Sequence, residues 1–225
     1  MINVVYTNDK CTDVYKVFKS QHEKNCELEL FTISNYEVGD YVYQNDEPYY
    51  SHWVNGLEKV NDDYFIYNQE DFILYDKVDV KKLQELQTFL ENTNYSFIRL
   101  IRSGQNLSNI QVGENLFETG KFSYPLFSMQ ATIWKKEKFI ELYNHTKQDL
   151  WFENDVYENA CRELEIYGLY YYAGESPRGG HFDSSVYPYI ATAVVKGQWN
   201  YSEYENELKP IFMEYGINPF LRGLR

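Results

Sequence analysis

The sequence is short of basic residues and of cysteine, and it has no long apolar run. Of its 225 residues, 21 are Lys or Arg against 34 Asp or Glu, a formal charge of −13 with a pI near 4.8. No Lys/Arg block interrupts that acidity. This excludes a general binder of nucleic acid or of anionic membrane, since both need a positive field; a local basic pocket for a phosphate remains compatible with it. The three cysteines (Cys11, Cys26, Cys161) are an odd number with no CxxC or CxxH spacing. Neither a disulfide framework nor a zinc finger is therefore expected, and a reduced, cytoplasmic setting fits. No stretch approaches ~20 consecutive apolar residues, so no membrane span is expected. The first ten residues lack the basic flank and apolar core of a signal peptide. GxxxxGK[ST], GxGxxG after the first strand, GxSxG and HExxH are all missing, and the four His are scattered without i, i+4 spacing.

What is present is a chain with 44% apolar residues and 23 Tyr, too apolar for a disordered protein despite its charge. Residues 2–6 read as a buried first strand, 13–22 as a helix with Val14, Val17 and Phe18 on one face, and 28–33 as a second strand. Such a β-α-β opening favours a parallel sheet. Residues 37–50 read as loop, 51–60 as a short helix and 64–67 as a third strand. Val80, Leu83, Leu86 and Leu90 then mark an amphipathic helix with Asp79 as its N-cap. A fourth strand follows at 96–101, a hairpin-like region at 110–124, helices at 135–145, 149–167 and 202–215, and a strand at 170–172. Residues 174–185 are the most loop-like stretch. With no repeat and no low-complexity linker, the expectation is one α/β domain over 1–225, Rossmann-like, with a mixed, mostly parallel sheet flanked by helices.

Four groups of residues invite a chemical reading. Glu70-Asp71 closes an apolar strand, where open α/β sheets bind ligands. Adjacent carboxylates repel unless a cation or solvent offsets them, and a hard Mg²⁺ or Mn²⁺ suits such a pair. A solvated strand end explains the same two acids. Glu153 is preceded by Trp151 and Phe152; desolvation there would raise its pKa and suit it to act as a base, whereas an acidic helix start explains it equally. The loop 175–181 offers Gly179-Gly180 for close backbone approach, with Arg178 and His181 as diphosphate partners, or it is simply a loop. Arg99 and Arg102 straddle the end of the fourth strand, placed for an anionic ligand or for ion pairs with surplus acids.

In order along the chain, the runs YFIYNQEDFIL (64–74), FIRL (97–100), SMQATIW (128–134), LWFE (150–153) and KGQW (196–199) resemble segments of small GT-A-fold glycosyltransferases of bacteria and viruses, in which a QED element stands in place of DxD. The resemblance covers residues 60–223. It implies a GT-A fold with a nucleotide-sugar-binding half over 1–100 and an acceptor and catalytic half over 101–225. It also implies a hexosyl- or deoxyhexosyltransferase that moves a sugar from a UDP-, GDP- or dTDP-linked donor to a glycan or other hydroxyl, in glycan biosynthesis. On that reading Thr7 and Asp9 lie near the base or ribose, and Asp71 with Glu70 binds manganese or magnesium at the diphosphate. Arg99, Arg178 and His181 face the donor, and Glu153 is the base of an inverting transfer. There is no literal DxD, and Leu150 stands where the family has an aromatic residue. Two alternatives stay open: a GT-A-like module that binds a nucleotide-sugar without turnover, and a hydrolase using carboxylates ~5–10 Å apart across a sugar ring.

Overall fold

The computed structural model describes residues 1–104, 107–121, 124–148 and 154–225. Strand β1 (Ile2–Tyr6) leads into helix α1 (Thr12–Asn25) and returns to β2 (Leu30–Ser34). The two strands pair in parallel with Asn3 opposite Leu30, and Val14, Val17 and Phe18 are buried on the helix as their spacing predicts. In the region read as loop, a two-residue strand β3 (Tyr41–Val42) extends the sheet beside Ile33 and Ser34. So short a strand carries no periodicity of its own and exists through that pairing. Helix α2 (Tyr49–Leu57) then crosses to β4 (Tyr64–Gln69), which takes the other side of β1, again in parallel.

Helix α3 (Val80–Glu91) is capped by Asp79, whose carboxylate accepts from Lys82 N at 2.9 Å. Next come β5 (Phe97–Arg99), the hairpin β6 (Gln111–Gly113) and β7 (Leu116–Glu118), then β8 (Thr132–Lys135), α4 (Lys136–Thr146), α5 (Asn154–Glu163) and β9 (Gly168–Tyr171). The sheet runs β3-β2-β1-β4-β8-β5-β9-β7-β6. Only β8 and β7 run against the rest, so the sheet is mixed and mostly parallel, as expected. The insertion of β8 between β4 and β5 joins Phe65 and Phe97 to opposite sides of Trp134.

Helices cover both faces. Asn3 points to α1, its Nδ2 lying 3.0 Å from His22 Nε2. Tyr6 points the other way and stacks on Trp53 of α2 at 5.8 Å. Trp53 in turn packs on Tyr67 of β4 and Phe139 of α4, and Tyr143 of α4 meets Tyr157 of α5. Much of the tyrosine excess therefore fills the core between sheet and helices, where broad rings bury large areas. Two small ribbons follow, β10 (Pro177–Arg178) with β11 (His181–Phe182) and β12 (Val194–Val195) with β13 (Gln198–Trp199), before helix α6 (Tyr201–Tyr215). No described helix is long and apolar enough to cross a membrane.

Candidate functional site

β2 departs to one side of β1 and β4 lies on the other, which makes the β1/β4 boundary a topological switch point. Open α/β sheets bind ligands beyond the carboxyl ends of strands at such a point. A cleft of about 670 Å³ opens there. Tyr6 and Asn8 line it after β1, Gln69, Glu70 and Asp71 after β4, Ser103 past β5, and Ser128 to Gln130 on the approach to β8. A recess of similar volume, about 710 Å³, sits at the opposite end of the sheet beside Lys135 and Lys136. Both ammonium groups there are engaged by backbone, on Thr93 O at 2.8 Å and Val60 O at 2.7 Å. The two lysines of that recess are thus already engaged, and the described lining of the cleft has no such cation.

On the cleft floor the carboxylates of Glu70 and Asp71 are half-buried side by side. Burial and the charge of Glu70 push Asp71 up to about 8, against the opposing pull of Val194 N, which donates to its Oδ2 at 3.5 Å. Burial also raises Glu70, offset in part by the Cys11 thiol and by the Arg222 charge. The pair is thus short of positive charge. Two hard oxygen donors in that condition fit a Mg²⁺ or Mn²⁺ ion completed by water and phosphate oxygens. No third His, Cys, Asp or Glu joins them in a metal-holding group among the described residues, so the fit is to an ion bound partly through its ligand.

The other residues singled out by sequence fall in different places. His181 lines the cleft, its Nδ1 3.3 Å from Ser103 Oγ, and burial lowers its pKa so that the ring is neutral. Thr7 is fully buried at the end of β1 with the Tyr36 hydroxyl beside its own. Asp9 is exposed and exchanges two hydrogen bonds with the Asn35 side chain, donating its N to Oδ1 at 2.8 Å and accepting from Nδ2 at 3.0 Å. Arg178 is not in the cleft wall; it pairs with Glu207 at 2.6 Å and Asp183 at 3.2 Å. Gly179, in the left-handed region, brings the backbone close to Glu203 and not to the cleft, since a Cβ there would fall 1.5 Å from Glu203 Oε1. Glu153 lies outside the described residues.

Arg99 turns inward. It is 1% exposed and donates to three carbonyls, Ser103 O at 2.8 Å, Pro125 O at 3.2 Å and Leu126 O at 3.1 Å. Burial holds its pKa down to about 10, and the charge of Glu158 works against that shift. Glu158, itself buried, accepts from Phe127 N at 2.9 Å and from Arg162 at 3.1 Å. Arginine takes the carbonyls of Ser103, Pro125 and Leu126 and glutamate takes an amide, so two buried charges with separate partners fix the cleft's far side.

Sequence reasoning missed Tyr6, Cys11 and the His52 behind Tyr6. His52 Nε2 lies 3.0 Å from Glu47 O, and a carbonyl can only accept, so Nε2 carries the hydrogen. Burial keeps the ring neutral, so Nδ1 is an acceptor and the Tyr6 hydroxyl donates to it at 3.1 Å. The Tyr6 oxygen is left with lone pairs alone for the cleft. No periodicity signals this, because Tyr6 and His52 are 46 residues apart.

No protein-family model matches the chain, and no curated protein matches it. Among solved structures it is similar to a CMP:2-keto-3-deoxy-manno-octonic acid synthetase complexed with CTP, at 12% identity and a TM-score of 0.48, over 76% of this chain and 88% of that one. It is similar to S. aureus TarS 1–349 at 10% identity and a TM-score of 0.48, over 99% of this chain and 68% of that one. A provisional glucose-1-phosphate thymidylyltransferase from Bacillus anthracis, solved with sucrose, gives 11% identity and a TM-score of 0.48 over 97% and 96%. Likeness of this degree carries neither substrate nor mechanism across.

Proposed function

We propose that the chain is a nucleotide-sugar-dependent glycosyltransferase whose donor lies in the cleft at the β1/β4 switch point. The observation that carries this reading is the half-buried Glu70-Asp71 pair on the cleft floor, short of positive charge and made of hard oxygens. Asp71 and Glu70 would hold a Mn²⁺ or Mg²⁺ ion, and that ion when bound supplies the charge that makes a diphosphate tolerable beside two acids. The remaining roles belong to the chain. The buried end of β1 at Thr7 and the Tyr6 oxygen bound the side where the nucleoside fits. His181, neutral and facing the cleft, hydrogen-bonds the departing diphosphate.

In the transfer itself the acceptor oxygen attacks the anomeric carbon, the bond from that carbon to the diphosphate breaks, and the electron pair leaves with the diphosphate. The acceptor proton goes to a base, the role that the family resemblance gives to Glu153, with inversion at the anomeric centre. The test is a thermal-shift and calorimetry series with UDP-, GDP- and dTDP-sugars, with and without Mn²⁺. A ligand of the native state stabilises it by mass action, by about 2.7 kcal/mol at a hundred times Kd, and so raises the unfolding midpoint. One nucleotide-sugar is expected to raise it in wild type and to lose its effect in Asp71→Asn. No shift with any of them, metal present or absent, ends the proposal.

A further inference from the structure

The described residues that line the cleft include two acids and no Lys or Arg, so an anion entering it meets no fixed positive charge from the walls. Positive charge reaches the rim from the far end of the sequence. Residues 219–225 run back along β13: Trp199 N donates to Gly223 O at 3.0 Å, Arg225 N to Trp199 O at 2.8 Å and Ser202 N to Arg225 O at 2.8 Å. Leu224 bridges Trp199 in parallel, and Gly223, with φ at +90°, makes the turn that a side chain would resist. This strap delivers Arg222 to the start of α1. Its Nε donates to Asp13 Oδ2 at 3.0 Å and its Nη1 to Gly197 O at 3.3 Å, while Nη2 donates to Asp13 Oδ1. The guanidinium lies 5.8 Å from the Trp199 ring centre. Asp13 sits between Cys11 and Val14, both in the cleft wall, and Gly197 lies three residues beyond Val194 of the same wall.

We propose that Arg222 is an anion-binding residue of the cleft, turning its guanidinium from Asp13 toward the diphosphate of the bound donor. The inference rests on reading the cleft as a diphosphate site. Its chemistry is favourable on both sides of the exchange. A guanidinium fork matches phosphate oxygens two at a time. Asp13, with 56% of its side chain exposed, is solvated when released. The arrangement also explains why a chain of charge −13 brings an arginine across 209 residues to a carboxylate beside the cleft.

The experiment is calorimetry with inorganic diphosphate and with UDP, each with and without Mn²⁺, on wild type, Arg222→Gln, Arg222→Lys and Asp13→Asn, with unfolding midpoints measured alongside. Arg222→Gln is expected to weaken binding about tenfold, the loss of one charge-assisted contact. Arg222→Lys should recover part of that loss by keeping the charge without the fork. Asp13→Asn should leave affinity unchanged or tighten it up to about threefold, because it frees the guanidinium. A purely structural arginine makes Asp13→Asn and Arg222→Gln equivalent, since each breaks the same pair. Equal losses in those two variants therefore overturn the proposal, and so does Arg222→Gln binding like wild type. If wild type takes up neither probe under any condition, the diphosphate reading falls and this inference with it; binding by wild type with no effect at Arg222 removes this inference alone.

Discussion

Arg99 and Glu158 bury opposite charges behind one wall of the cleft, whereas Glu70 and Asp71 bury like charges on its floor. Every described contact of the first pair is structural: three carbonyls on the arginine, an amide and Arg162 on the glutamate. The second pair has a long backbone hydrogen bond to Asp71 Oδ2 and the Cys11 thiol at Glu70, and the Asp71 pKa is still pushed up to about 8. Both regions cost desolvation, but only one returns it in the folded chain alone. The difference teaches where a ligand belongs: satisfied buried charge holds shape, and unsatisfied buried charge awaits a cation. Breaking the satisfied pair should therefore harm folding, and neutralising the unsatisfied one should not.

The largest effect is expected at Arg99. Arg99→Met keeps most of the volume but strands three carbonyls behind the cleft wall, while Glu158 keeps its pair with Arg162. A loss of about 3–5 kcal/mol follows from leaving buried acceptors unsatisfied, at roughly 1–3 kcal/mol each, read as a fall in the denaturant midpoint. A change below about 1 kcal/mol, the range of an exposed pair, would mean that the wall stands without its clamp.

His22 sharpens the comparison from the neutral side, being buried with no charge beside it. Burial alone lowers its pKa from 6.5 to about 4, and Asn3 is its polar neighbour. Between those values the unfolded chain binds a proton that the native state refuses. Stability therefore rises with pH across this window and is lost as pH falls from about 6.5 toward 4. The shift corresponds to about 3 kcal/mol at most. Urea titrations at pH 7, 6, 5 and 4 should show a steeper decline for wild type than for His22→Gln, and parallel declines would count against the burial account.

How much of this was legible in the sequence follows from the range of each interaction. β1, α1, β4 and α3 declare themselves through spacing within one element, and the Asp79 cap through a partner three residues on. The Glu70-Asp71 pair was legible because the strand and its acids are contiguous. The position of β8 was not, since it depends on pairings of Trp134 with Phe65 and Phe97. The fates of the arginines were illegible for the same reason. Arg99, Arg178 and Arg222 look alike in one dimension, yet their acceptors lie 4–27, 5–29 and 25–209 residues away, and those acceptors decide which guanidinium holds a wall, a loop or the rim. Tyr6 gains its acceptor-only character from His52, again out of local reach.

A matched pair of carboxylate-to-amide changes tests the central contrast directly. Glu158→Gln removes the buried charge that pairs with Arg162 and should cost about 2 kcal/mol. Asp71→Asn removes half of a like-charge pair and should raise stability on the order of 1 kcal/mol in the absence of metal. Identical chemistry with opposite signs in one melting experiment is the expected outcome. A loss at both positions would show that Asp71 is as structural as Glu158, and the floor would no longer be distinguished from the wall.

The smallest effect is expected at Arg178, the arginine that sequence placed beside the diphosphate. Its guanidinium bridges Glu207 and Asp183 and lies 5.3 Å from the Tyr204 ring centre. Arg178→Gln would leave those two acids facing each other; Glu207 is mostly buried, but Asp183 stands nearer solvent and Arg178 is itself partly exposed, so a cost of about 1 kcal/mol is in order. Because the guanidinium is held outside the cleft wall, diphosphate affinity should hold while the midpoint slips slightly. Arg222→Gln predicts the reverse, a weaker ligand and a nearly unchanged midpoint. A tenfold loss of affinity at Arg178 with none at Arg222 would exchange their roles, and it would place the anion on the β10/β11 side of the cleft in place of the α1 side.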